Sequence, residues 1–81
     1  MSLLKNQDGD FILDVKGYQC PLPVLKAQKA FRSLESGDKL RIFATDEGAW
    51  DDFQHFANEQ NYILHMREKK QDYLVFLIEK I

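Results

Sequence analysis

Apolar residues first alternate with polar ones and then fall into three-and-four spacing. The pattern occurs twice before the chain closes with two further apolar stretches. Phe11, Leu13 and Val15 alternate with Ile12 and Asp14, the period of two expected of a short strand over 11–15. From Pro21 to Leu34 the period becomes helical. Val24, Ala27, Phe31 and Leu34 form one stripe with Ala30 beside it, and Lys26, Lys29 and Arg32 take the other side. Gly37 is suited to stopping that helix, because glycine accepts a left-handed backbone without steric cost. Leu40 to Thr45 reads as a second strand, with Leu40, Ile42 and Ala44 on one face. Asp46 then reads as the N-cap of a second helix from about Glu47 to Gln60. Its Ala49, Trp50, Phe53, Phe56 and Ala57 lie three and four apart, and Asn61 closes it. Tyr62 to Glu68 and Asp72 to Glu79 read as two last strands around the polar turn Lys69-Lys70-Gln71. Tyr73 to Ile78 is apolar on both faces, which predicts an interior strand.

The predicted order is therefore β-α-β-α-β-β. Right-handed crossovers place both helices on one face of a four-stranded mixed sheet, an α+β two-layer sandwich. No helix remains to cover the other face, yet Phe43 and half of the last strand must point there. Such an apolar face is a candidate surface for a partner or for self-association, compatible with a monomer or a weak homodimer.

Length and composition narrow the setting. With 81 residues the chain is expected to hold a flexible N-terminal tail over 1–10 and a single domain over 11–81. A hydrophobic fraction of 44% and a charged fraction of 30% are those of an ordinary globular protein. No apolar run approaches a membrane span, and the opening MSLLKNQDGD has no signal-peptide core. The 11 basic and 13 acidic side chains give a net charge of −2, which disfavours broad nucleic-acid binding.

The candidate chemistry lies at the junction of the first strand and first helix, in Leu13 to Leu25, LDVKGYQCPLPVL. It holds the only cysteine, Cys20, followed by Pro21 and Pro23, with Gly17 allowing the turn. Proline suits a first helical turn, so Cys20 reads as an N-cap residue with Pro21 at the first helical position. There the sulfur would meet unpaired amides and the positive end of the helix dipole, and Lys16, Lys26 and Lys29 are near in sequence. All of these favour the thiolate, so a lowered pKa and a nucleophilic Cys20 are expected. A lone cysteine can equally be small core packing. One cysteine cannot close an internal disulfide, which fits a reducing, cytoplasmic setting. His55 and His65 fall on different elements and no paired-ligand spacing exists, so no metal is expected. No glycine-rich phosphate loop or other cofactor motif is present.

The pattern Leu-Asp-x-Lys-Gly-x-x-Cys-Pro-x-Pro-Val-Leu in Leu13 to Leu25 closely resembles the TusA/SirA-like sulfur carriers. The likeness continues through Ser36-Gly37-Asp38, Ala44-Thr45-Asp46, Gly48-Ala49, Asp52 and Phe56, over roughly residues 11–80. The resemblance implies the same two-layer fold, related to the C-terminal domain of bacterial initiation factor three. It implies that Cys20 carries a persulfide, that Pro21 and Pro23 shape its loop, that Gly17 is the turn glycine and that Lys16 is the usual basic position. Asp14 is a candidate for holding the loop by hydrogen bonds, or an ordinary strand-end polar residue. Asp46 and Asp52 match acidic positions of the family, the first with helix capping as its simpler role. A sulfur donor such as a cysteine desulfurase or rhodanese and a sulfur-accepting protein are the implied partners. The implied pathways are tRNA thiolation, molybdenum-cofactor assembly and sulfur oxidation, and the implied role is a sulfurtransferase-type carrier rather than a stand-alone turnover enzyme. Lys26, Lys29 and Arg32 are either a solvated face or a docking surface for acidic partners. Leu22 stands where the tRNA-thiolation carriers have glutamate. Glu47 and Gln54 replace common prolines, and Asp51 replaces a frequent basic residue. The rival reading is a non-catalytic regulatory or adaptor module that binds a protein through the open sheet face.

Overall fold

A computed structural model describes residues 4–7 and 9–81. Its elements are strand β1 (Leu4–Lys5), strand β2 (Phe11–Asp14), helix α1 (Leu22–Arg32), strand β3 (Lys39–Ala44), helix α2 (Ala49–Gln60), strand β4 (Ile63–Lys69) and strand β5 (Leu74–Glu79). From β2 onward this is the expected β-α-β-α-β-β order in a four-stranded mixed sheet. β2 pairs parallel with β3, and β5 lies between β3 and β4, antiparallel to both. β1 extends the β2 edge with a two-residue antiparallel pairing, Leu4 opposite Ile12 and Lys5 opposite Phe11. The described part of the segment expected to be a tail is thus a short hairpin. Its turn is closed by Asn6 N–H to Asp10 C=O at 2.8 Å. Met1–Leu3 and Asp8 lie outside the described residues.

The register explains the core. Leu40, Ile42 and Ala44 stand opposite Ile78, Phe76 and Leu74, so these six side chains share one face, and all are buried. Phe11 and Leu13 join them from β2, in register with Leu40 and Ile42. Both helices close over that face. α1 buries Pro23, Ala27, Ala30 and Phe31, while α2 buries Ala49, Phe53, Phe56 and Ala57. Phe53 stacks on Phe76 at 4.7 Å between ring centroids, and Phe31 meets Tyr62 at 4.9 Å. Trp50 packs at the margin of this cluster, covered on its outer side by the Arg67 guanidinium at 4.2 Å and the Lys69 ammonium at 4.8 Å.

The opposite face has no helix upon it. Phe43 stands there, paired in register with Asp14 and Val75, and its ring meets Tyr73 edge-on at 5.8 Å. Arg41 reaches from the same face to the nearly buried Asp10, with Nη2 3.2 Å from Oδ2.

Element ends differ from the sequence reading at the end of α1 and the start of α2. α1 stops at Arg32 with Ser33 as its C-cap, and Gly37, at φ +94°, serves the following turn. The end of α1 is tied down from far along the chain: Lys80 Nζ donates to Phe31 O, in the last turn, at 2.7 Å and to Leu34 O, just beyond the helix, at 2.8 Å. Asp46 is not the N-cap of α2. Its carbonyl accepts from Ala49 in a preceding turn, and Gly48 takes the cap position. Asn61 closes α2 in the left-handed conformation, φ 60°.

Candidate functional site

The site is built where β2 leaves the sheet. Val15 N–H still donates to Phe43 C=O at 2.8 Å, which anchors the strand end before the chain turns away. The turn holds itself by two polar contacts. Asp14 Oδ1 accepts from Lys16 N–H at 3.0 Å, and Thr45 Oγ1 accepts from Gly17 N–H at 2.9 Å. Gly17 has φ +89°, a backbone that a side chain would strain. The second contact ties the loop to the end of β3, so two neighbouring parallel strands position the cysteine.

Cys20 is exposed, with a free thiol, and is joined to Pro21 by a cis peptide bond. Pro21 is the N-cap of α1 and Leu22 its first residue. Cys20 therefore lies one residue outside the cap position expected for it. Its sulfur is not directed to the amides of α1. It donates to Asp52 Oδ2, in the first turn of α2, at 2.8 Å. A Cβ added at Gly48 would lie 2.9 Å from Asp46 Oδ2, 3.7 Å from the Cys20 Cβ and 3.8 Å from Asp52 Oδ2. The glycine thus leaves room for two carboxylates to crowd beside the cysteine.

The electrostatics reverse the sequence expectation. The hydrogen bond to Asp52 stabilises the thiol form. Partial loss of hydration and the negative charges of Asp52 and Asp46 add to it, so the Cys20 pKa is raised rather than lowered. Two of the three lysines expected to oppose this are engaged elsewhere. Lys16 Nζ sits 4.0 Å from Asp14 Oδ2 and 5.6 Å from the Tyr73 ring, and Lys26 Nζ lies 4.4 Å over the Tyr18 ring. Sequence proximity placed the sulfur among cations. The packing of α2 against α1 places it among anions.

From the sulfur a groove of about 280 Å³ runs between the helices, lined by Pro21, Val24 and Gln28 of α1 and by Asp52, His55 and Phe56 of α2 among others. A larger open concavity of about 480 Å³ lies by Trp50, Lys69 and Tyr73 and does not include Cys20. His55 pairs with Glu59 and His65 with Glu79, each at 2.7 Å. Among the described residues there is no cluster of three or more His, Cys, Asp or Glu side chains able to hold a metal ion. Also among them, no helix is long and apolar enough to cross a membrane.

The loop residues named from the sequence, Asp14, Lys16, Gly17, Pro21 and Pro23, all belong to the segment that presents Cys20, with Pro23 buried in the first turn of α1. Lys29 and Arg32 lie in the last turn of α1, at the end away from the cysteine, and Lys26 lies midway. Asp52 and Gly48 are the site residues whose roles the sequence reading did not see. A match to acidic and glycine positions of the family was their only signal.

Comparison with known proteins gives a consistent answer. Residues 11–80 match the family described as Sulfurtransferase TusA. The sulfur carrier protein TusA of Allochromatium vinosum is 38% identical over 73 residues, 90% of this chain and 96% of that protein. YrkI of Bacillus subtilis is also 38% identical, over 88% of this chain and 95% of its own length. The crystal structure of a SirA-like protein from Desulfitobacterium hafniense superposes with a TM-score of 0.74 at 26% identity, covering 84% of this chain and 93% of that one. The CPxP cysteine loop, the mixed sheet with both helices on one face and the match over nearly the whole chain have one reading in common: the protein belongs to the TusA family of sulfur carriers.

Proposed function

We propose that the protein accepts sulfane sulfur as a persulfide on Cys20 and relays it to a partner. The observation that carries this reading is the placement of the chain's one cysteine, exposed at the head of α1 and at the mouth of an interhelical groove. In acceptance, the Cys20 thiolate attacks the outer sulfur of a donor cysteine persulfide. The new S–S bond forms on Cys20 as the donor's S–S bond breaks, and the donor leaves as a thiolate. Delivery repeats the exchange, with an acceptor cysteine attacking the outer sulfur. Both thiols outside the carrier belong to other proteins, since no second cysteine exists in the chain to close a disulfide.

A cysteine desulfurase or rhodanese is the donor class and a sulfur-accepting protein the recipient, within tRNA thiolation, molybdenum-cofactor assembly or sulfur oxidation. A reducing cytoplasm suits the exposed free thiol. Asp14, Lys16, Gly17, Pro21 and Pro23 support the loop, and Lys26, Lys29 and Arg32 supply docking charge along α1. The test is intact mass after incubation with a cysteine desulfurase and cysteine. Gain of one sulfur atom is expected, reversed by dithiothreitol and absent in Cys20→Ser. Sulfur uptake by the serine variant would refute the assignment.

The uncovered sheet face supports a second reading. Ile12, Phe43, Met66 and Leu77 are only half-buried there, as an adaptor surface requires. Partner binding that survives Cys20→Ser would favour it.

A further inference from the structure

We propose that Asp52 is a positioning residue for sulfur acceptance, holding the resting carrier as a thiol and making the site favour partners that bring positive charge to the sulfur. The inference rests on the persulfide-carrier reading and adds to it a condition on when Cys20 reacts.

The geometry is specific. The Cys20 thiol donates to Asp52 Oδ2 at 2.8 Å, and Asp46 Oδ2 stands close enough to Gly48 to leave no comfortable room for a Cβ there. The groups around the sulfur are unbalanced in charge. α2 contributes Asp52 and, further along the groove, His55 and Glu59; the turn before α2 contributes Asp46. α1 contributes Pro21, Val24 and Gln28, none of which is charged. His55 is itself held by Glu59, with Nε2 to Oε1 at 2.7 Å. Among the described residues, no lysine or arginine lines the groove that opens from the sulfur.

This matters because the thiolate is the attacking species. Loss of the Cys20 proton to water would leave a sulfur anion against two carboxylates, which like-charge repulsion opposes. A partner lysine or arginine seated at Asp52 and Asp46 offsets that repulsion, so the proton leaves when the donor is docked. The Cys20 thiolate then displaces the donor's thiolate from the outer sulfur, and the donor thiolate takes up a proton from solvent. Once the persulfide has formed, the inner sulfur has no hydrogen to donate to Asp52. A negative outer sulfur is then repelled from both carboxylates, towards the open side of the groove, where an acceptor can reach it. One arrangement thus quiets the free thiol and exposes the loaded sulfur.

Alkylation tests this without any sulfur chemistry. Rates of neutral iodoacetamide and anionic iodoacetate are measured against pH for the natural protein and for Asp52→Asn, Asp52→Glu and Asp46→Asn. In Asp52→Asn the midpoint of the pH–rate profile should fall. Each unit of fall raises the thiolate fraction at neutral pH about tenfold. The accompanying loss of intrinsic nucleophilicity leaves a net gain of about three- to fourfold in rate. The preference for iodoacetamide over iodoacetate should narrow in the same variant. It should narrow less in Asp46→Asn, which removes charge without the hydrogen bond, and should return in Asp52→Glu. In the natural protein the preference should shrink as salt is raised, which keeps the test usable if a variant fails to fold. Superimposable profiles with unchanged reagent preference in a folded Asp52→Asn, or a preference in the natural protein that ignores salt, would overturn the proposal. Failure of the natural protein to take up sulfur would count against the carrier reading alone, because alkylation reads the carboxylates directly.

Discussion

Lys80 joins the last residues of the chain to the helix that carries the cysteine at its other end. Its ammonium donates to Phe31 O at 2.7 Å, in the last turn of α1 where carbonyls lack intrahelical partners, and to Leu34 O at 2.8 Å just beyond it. Replacing it with methionine keeps most of the aliphatic stem and removes charge and donors. Hydrogen bonds to a charged group contribute about 1.5–3 kcal/mol each, so two bonds represent roughly 3–6 kcal/mol gross. Immobilising a lysine costs about 1.5–2 kcal/mol, and a cation at a helix C-terminus has a practical ceiling of about 2 kcal/mol. The expected net loss in Lys80→Met is therefore about 2 kcal/mol, a fall in Tm of about 10 °C for a chain of this size. Urea unfolding followed by far-UV circular dichroism measures it. The loss should persist in high salt, because the ammonium is partly buried and screening reaches it poorly. Alkylation of Cys20 under native conditions should not change. A loss below about 0.5 kcal/mol, or one that vanishes with salt, would show that Lys80 is an ordinary surface charge and that α1 is terminated by other means.

Two further substitutions probe the site's frame and the core. Gly17→Ala forces a side chain into φ +89° in the loop that presents Cys20. It should cost about 1–2 kcal/mol by urea titration and lower the rate of sulfur loading, and a neutral result on both would show that the loop has no need of glycine there. Phe76→Ala empties the centre of β5, where the ring is fully buried against Phe53. It should cost about 3–5 kcal/mol, and Phe76→Leu, which fills much of the space, should cost clearly less; equal losses would contradict a tightly packed core.

The architecture was legible because each element states its own period. The alternation of Phe11 to Val15, the helical stripe through Ala27 and Phe31, and the two-sided apolar run ending at Ile78 each reflect how much of that segment is covered. Burial imposes the pattern locally, so the local sequence reports it. The cysteine was legible too, as the one thiol in a Cys-Pro-x-Pro turn between a strand and a helix.

The pattern could not report which distant groups meet. Cys20 and Asp52 are 32 residues apart, and Lys80 lies 46 residues from the Leu34 carbonyl it caps. Their contacts exist only because α2 packs beside α1 and β5 returns along β3. A sequence window sees Lys16, Lys26 and Lys29 around the thiol and predicts a thiolate. Side-chain reach over the loop turns two of those lysines to Asp14 and to aromatic rings, and the packed helices set carboxylates there instead. Coulomb interactions depend on separation in space rather than along the chain. Hydrophobic periodicity therefore determined the fold in advance, while the acidic surroundings of the cysteine come only from the packing of the second helix beside the first.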